Sequence, residues 1–356
     1  YAINKFMSNF GKDNVECRTD NQAILENLDS YRFNTPLNEI ENSDLIILLG
    51  TNPKIETPII NHKIFKAYNN NSRIFNIGEN IPLNYQTEYL GDKLSNLNNE
   101  KLIKALKKSS NPLIIIGSAF LNKIKNIKTL KSIFSFADKH NVITKDKNNL
   151  NFLNPYASRV GQLILGNTTK NLCEPFSKLK KEKFEIVLSF GSEHIASEQF
   201  DNCFRVYFGH HGDEGAMKSD IILPTPLYTE KNGIFVNIEG RPQEAKKCHN
   251  PIGSAKEEWS IIKKLSEELS FVFEPNTFEQ LRSELLNKYT KLSIFNETLS
   301  NDNASPIITD IEFEDCKTQY PINNFYMSDI ISKNSVTMVK CVEEIISTPS
   351  LLEKSA

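Results

Sequence analysis

No two cysteines of this chain lie close enough together to clip a metal: Cys17, Cys173, Cys203, Cys248, Cys316 and Cys341 are all more than four residues apart. Structural zinc and iron–sulfur sites usually draw two thiolates from one tight turn, so no metal or cluster centre is expected in this chain. Thiols scattered this thinly over 356 residues fit a reducing compartment better than a disulfide framework. An excess of charge is lacking too. Lys and Arg number 42 against 44 Asp and Glu, a formal net charge of -2, which leaves nothing to neutralise a nucleic-acid backbone. Long apolar runs are also missing. Leu45–Leu49 and Leu113–Ile116 fall far short of the roughly 20 residues that span a bilayer, so no direct membrane span is expected. The segment Tyr1–Phe10 has neither the apolar core of a signal peptide nor the Arg-rich, acid-poor character of a transit peptide. With no initiator Met, the chain reads as processed or as a fragment.

Several catalytic signatures are absent as well. Neither G-x-G-x-x-G nor G-x-x-x-x-G-K-[ST] occurs, which removes the close-approach glycines and the lysine that cradle phosphates in dinucleotide and triphosphate sites. G-x-S-x-G and H-E-x-x-H do not occur either.

What is present is a repeated pattern of a short apolar run closed by glycine. It appears at Leu45–Gly50, Arg73–Gly78, Pro112–Gly117, Glu185–Gly191 and Phe204–Gly209, with a sixth run at Asp220–Leu223 halted by Pro224. Runs apolar throughout predict parallel strands buried on both faces, and a terminal glycine permits a sharp turn. Between them, Leu130, Ile133, Phe134 and Ala137 fall at helical spacing on one stripe. Strand alternating with helix predicts an α/β protein with doubly wound, mostly parallel sheets. Ser254 with Glu257 and Thr277 with Gln280 predict capping boxes ahead of two helices, burying Trp259, Ile262 and Leu265 in the first and Phe278, Leu281 and Leu285 in the second. Polar composition over Ser300–Ser305 marks a linker, and the segment Pro321–Ile346 is expected to end in a helix with Met338, Val342 and Ile346 on one stripe. The expected division is an α/β domain over 1–300, in two wound lobes of roughly 1–150 and 151–300, and a C-terminal helical tail over 301–356.

Polar clusters offer few candidates. Gly209-His210-His211-Gly212-Asp213 carries two imidazoles and a carboxylate, but adjacent side chains on extended backbone point apart, so a shared metal needs a sharp turn. Histidines bonding within a strand-end loop are the simpler reading. His62, His140, His194 and His249 stand alone in sequence, and the pairs Glu257-Glu258 and Glu267-Glu268 read as solvated helix faces. The basic stretches Lys104–Lys108 and Lys178–Lys183 read the same way, with a docking patch for a partner as the alternative. No catalytic, cofactor-binding or metal-ligating residues are assigned.

The segment from Ser219 to Trp259, with Leu223-Pro224, Thr229-Glu230-Lys231 and Asn237-x-Glu239-Gly240-Arg241, resembles a signature of molybdopterin oxidoreductases. The preceding Gly209–Ala216 stretch is similar to the large iron–sulfur subunits of respiratory complex I. So are Gly50-Thr51-Asn52-Pro53 with Glu56, Pro58 and Asn61, and Phe325-Tyr326-Met327-Ser328-Asp329 with Met338–Cys341. The resemblance implies a molybdopterin-oxidoreductase-like fold whose strand-end loops lie near a pterin in the catalytic enzymes. It also implies that the complex I branch kept the fold without that cofactor. Iron–sulfur clusters and FMN are then expected in partner chains, including a cluster-bearing N-terminal part of the same subunit if separately encoded. The role implied is a scaffold in the hydrophilic arm supporting NADH-to-ubiquinone electron transfer, on the matrix side of the mitochondrial inner membrane or the cytoplasmic face of a bacterial one. The tail from Asp310 to Ala356 would strap across the body. Asn237, Glu239 and Arg241 would pair with backbone and with one another. The alternatives are a fragment of a catalytic, formate-dehydrogenase-like molybdopterin enzyme, or an independent small-ligand enzyme using a strand-end crevice.

Overall fold

The computed structural model describes residues 1–11, 14–168, 172–173, 184–192, 198–300, 308, 310–316, 318, 320, 322 and 324–346. The stretch Lys178–Lys183, His194, the linker over 301–305 and Pro321 lie outside the described residues.

Five parallel strands form the first sheet: β1 (Leu45–Leu49), β2 (Arg73–Ile77), β3 (Glu88–Gly91), β4 (Pro112–Ile116) and β5 (Leu150–Phe152), in the order β3-β2-β1-β4-β5. Every residue of β1 and β4 is buried, as their unbroken apolar sequences predict. Period-2 alternation sends Leu45, Ile47 and Leu49 to one face, where the helices Glu100–Leu106 and Ile127–Lys139 cover them. Ile46 and Leu48 point to the other face, against Ile60, Ile64 and Ala67 of the helix Pro58–Asn69. Helices thus cover both faces, and each fully buried aliphatic side chain contributes about 1.5–3 kcal/mol. The stripe Leu130, Ile133, Phe134 and Ala137 is buried as expected, and Asn126 caps its helix by accepting from the Lys128 N–H at 2.9 Å.

A second sheet of three parallel strands, β6 (Ile186–Phe190), β7 (Phe204–Gly209) and β8 (Ile221–Pro224), runs in sequence order. Leu188 and Phe190 pack against the helices Ala2–Met7 and Glu258–Glu268. Burial on both faces fails here: Ile186 and Ile222 are 61% and 53% exposed, because packing against those helices engages only part of this sheet. An antiparallel hairpin of β9 (Gly233–Val236) and β10 (Pro242–Ala245) follows, and neither it, β3 nor β5 was marked by an apolar run closed by glycine.

Two helix starts differ from expectation. The Ser254–Glu257 capping box does not form: the helix begins at Glu258, and the Glu257 carboxylate accepts from Trp259 Nε1 at 2.7 Å instead. At Thr277 the cap forms, with Thr277 Oγ1 accepting from Gln280 N at 3.2 Å, but Gln280 Oε1 reaches back to Asn276 N. The tail segment ends in helix as expected, but not on one regular stripe. Val336–Cys341 runs into a π-helical turn over Val342–Ile346, which breaks the four-residue stripe, and none of these residues is buried.

Candidate functional site

In an open α/β sheet, ligands sit beyond the carboxyl ends of the strands where successive connections leave for opposite faces. Here that point lies between β1 and β4, since β1 leads to the helix Pro58–Asn69 on one face and β4 to the helix Ile127–Lys139 on the other. The strand-end glycines bring backbone to backbone there. A Cβ on Gly117 would stand 2.4 Å from the Gly50 carbonyl oxygen, and one on Gly50, at φ 60, would meet the Phe120 ring at 2.3 Å. The loop leaving β1 then turns Glu56 into the crevice. One carboxyl oxygen accepts from the Ser118 hydroxyl, and the other from Thr51 Oγ1 at 2.5 Å and Asn52 N at 3.2 Å. Burial pushes the Glu56 pKa up, and these hydrogen bonds pull against it.

Several residues of the sequence signatures bond within the protein. Asn237 Oδ1 accepts from the N–H groups of Glu239 and Arg241 at 3.0 and 2.9 Å, closing the β9–β10 turn. Glu239, 5% exposed, accepts from Leu37 N at 3.0 Å, while Phe33 N donates to the Ile238 carbonyl at 2.8 Å, so the turn is stitched to the segment Arg32–Leu37. Arg241 is held more loosely, 3.7 Å from Glu239 and 3.4 Å from Thr298 Oγ1. Glu230 accepts from Leu227 N at 3.0 Å, and Lys231 pairs with Glu258. Asp213 caps the turn Glu214–Met217 by accepting from Ala216 N at 2.8 Å, and also accepts from Tyr207 Oη at 2.8 Å. Asn61 accepts from Tyr85 Oη at 2.7 Å, and Asp329 caps Ile331 at 2.8 Å. Most of these polar groups satisfy backbone or neighbouring side chains, while the buried Arg241 Nε has no hydrogen-bond partner among the described residues.

The remaining candidates stay apart. His210 and His211 do turn toward each other, Nδ1 to Nδ1 at 2.6 Å, and burial followed by the neighbouring imidazole pushes the His210 pKa down. His140 lies against Phe136 with the rings tilted and their centroids 4.5 Å apart, His249 lies 3.8 Å from Glu230, and His62 is exposed. Glu257 and Glu258 are engaged by Trp259 and Lys231 rather than merely solvated, whereas Lys104, Lys107 and Lys108 are exposed. Among the described residues no group of three or more His, Cys, Asp and Glu side chains is arranged to hold a metal, and no disulfide links the six cysteines. No helix of the described residues is long and apolar enough to cross a membrane.

The ends of β1 and β4 set the Gly50 backbone against Gly117 and bury the Glu56 carboxyl beside them, a lining whose ionisable group is an acid and so does not suit an anionic pterin. The orientation of Glu56 was not legible from the sequence. The nearest signal was its position in the Gly50-Thr51-Asn52-Pro53 neighbourhood, followed by a helix-starting Pro58.

Residues 1–268 match the family model of molybdopterin oxidoreductases, and residues 295–341 match that of the C-terminal part of the NADH-ubiquinone oxidoreductase G subunit. The chain is 37% identical over 338 residues to the NADH-ubiquinone oxidoreductase 75 kDa subunit of Reclinomonas americana, an alignment covering 89% of this chain and 48% of that protein. It is 33% identical over 354 residues to the NADH-quinone oxidoreductase G subunit of Rickettsia bellii, covering 96% and 50%. The mitochondrial NADH-ubiquinone oxidoreductase 78 kDa subunit of Candida albicans is 32% identical over 96% of this chain and 49% of its own length. Among solved structures, the formyltransferase/hydrolase complex of Methylorubrum extorquens with methylofuran aligns at a TM-score of 0.48 and 11% identity, over 67% of this chain and 78% of that one. The chain spans about half the length of the curated relatives it matches. It belongs to the molybdopterin oxidoreductase family, as a homologue of the 75 kDa subunit of NADH-quinone oxidoreductase.

Proposed function

We propose that this chain is the cluster-free, molybdopterin-oxidoreductase-like half of the 75 kDa subunit, serving complex I as a scaffold of its hydrophilic arm. NADH-to-ubiquinone electron transfer then runs through iron–sulfur clusters and FMN in partner chains, which include the cluster-bearing part of the same subunit. The chain would sit at the matrix face of the mitochondrial inner membrane, or the cytoplasmic face of a bacterial one, held there by other subunits. Its body would comprise two wound lobes, roughly 1–150 and 151–300, with a tail over 301–356. The observation that carries this reading is the inward turn of the family signature, in which Asn237 and Glu239 bond to the chain's own backbone and tie the β9–β10 hairpin to the Arg32–Leu37 segment. A motif whose acceptors are consumed in this way holds a shape and leaves little to offer a substrate.

Glu239→Ala in the full complex tests this. Removing the acceptor strands the half-buried Leu37 N–H and should lower the amount of assembled complex, with turnover per assembled complex unchanged. Normal assembly with lost turnover would overturn the scaffold reading.

A further inference from the structure

The tail follows the helix Ile127–Lys139 on one face of the first sheet and reaches the ends of β1 and β2. Ser135 and Ser132, buried on the helix Ile127–Lys139, accept from the backbone N–H groups of Ile308 and Glu312 at 2.7 and 3.0 Å. Lys128 pairs with the Glu312 carboxylate at 2.7 Å. Phe313 meets the Phe136 ring edge-on at 6.1 Å, and Phe313 and Cys316 pack against the main core cluster of the sheet. Asp315 accepts from Ser95 N and Ser95 Oγ at 3.0 and 3.1 Å. Beyond these anchors Tyr320 brings its hydroxyl to the ends of β1 and β2. A Cβ on Gly78 would lie 3.9 Å from that oxygen and 3.1 Å from the Gly50 Cα.

We propose that the described tail residues Ile308, 310–316, Thr318 and Tyr320 act as an intramolecular latch whose tip, Tyr320, sits over the ends of β1 and β2 beside Glu56, holding the loop Gly50–Glu56 closed and, through the Ser118–Glu56 hydrogen bond, the loop Gly117–Leu121 with it. The segment over the β1 and β2 ends therefore comes from the chain itself. Its exposed polar anchors are individually weak, because solvent screens them. Tethering them to one segment makes each contact raise the effective concentration of the next, and the apolar contacts of Phe313 and Cys316 supply most of the hold. The Tyr320 hydroxyl is buried without a hydrogen-bond partner among the described residues, so the ring, and not the oxygen, makes the latch. Burial pushes its pKa up and the nearby Glu56 charge adds to that, which agrees with a phenol seated beside the buried carboxyl. Further along the tail, Asn334 Nδ2 donates to the Gly212 carbonyl at 3.4 Å, so the same tail also touches the loop after β7 of the second sheet.

Hydrogen exchange read by mass spectrometry on the full chain tests the latch without reference to complex assembly. Tyr320→Ala should speed exchange of amides in Gly50–Glu56 and Gly117–Leu121 by roughly tenfold or more, while amides at the centres of β1 and β4 stay protected. Tyr320→Phe keeps the ring and should keep both loops as protected as in the parent. Parent-like loop exchange in Tyr320→Ala overturns the proposal, as does loop opening in Tyr320→Phe. Should Tyr320→Ala fail to fold, Asp315→Ala releases the half-exposed anchor on Ser95 and should speed exchange in the same two loops. Loops that remain protected in that variant overturn the latch as well.

Discussion

The Ser118 hydroxyl donates to the Glu56 carboxyl, tying the end of β4 to the loop that leaves β1. Burial raises the Glu56 pKa above its ordinary value of 4.5. The folded chain therefore holds this proton after the unfolded chain has lost it. Stability falls as pH rises from 4.5 toward the raised value and levels off above it. Glu56→Gln, which mimics the protonated acid, should escape that fall. Urea midpoints of parent and variant across pH should converge in acid and separate in the variant's favour above pH 4.5; parallel curves would contradict the assignment.

Gly240 sits at φ 82, and a Cβ there would lie 3.3 Å from Arg32 Nη1. Gly240→Ala places an L side chain in the left-handed region and should cost about 1–2 kcal/mol in chemical denaturation, with any displacement of Arg32 adding to it.

Phe134 stacks on Phe152 with ring centroids 5.6 Å apart inside the first sheet's core. Phe134→Ala should cost about 3–5 kcal/mol. On β8, Ile222→Ala should stay within about 0.5 kcal/mol, since this side chain is half exposed. Comparable losses at both positions would show that the second sheet is packed as tightly as the first.

Cys17 is half-buried by surface area and enclosed enough that desolvation pushes its pKa up to about 12, whereas Cys248 is exposed. At mildly alkaline pH, alkylation followed by mass spectrometry should modify Cys248 in the native chain and Cys17 only after denaturant is added, because the thiolate is the reactive form. Cys17→Ser and Cys248→Ser should both leave the iron content of the assembled complex unchanged.

Much of the fold was legible because β1 and β4 are apolar at every position, a pattern that only burial on both faces explains. The second sheet shows the limit of that inference. Ile186, Ile221 and Ile222 carry the same apolar signal yet are exposed, since a run of isoleucines reports strand propensity and not what covers the strand. The hairpin turn around Asn237–Arg241 was visible only as a family signature, and its local bonds depend on the Arg32–Leu37 segment about two hundred residues away in sequence. The role of the tail was hidden for a similar reason. Ser132 and Ser135 interrupt the buried face of an apolar helix, and nothing local shows that their hydroxyls await the backbone of residues 308 and 312.

The most direct test of the central claim is to isolate the native complex through this chain and measure its subunits, iron, molybdenum and pterin together by mass spectrometry. The scaffold account predicts co-purifying flavin- and cluster-bearing subunits of an NADH-quinone oxidoreductase, with iron in those partners and neither molybdenum nor pterin on this chain. Molybdenum or pterin bound here would contradict it.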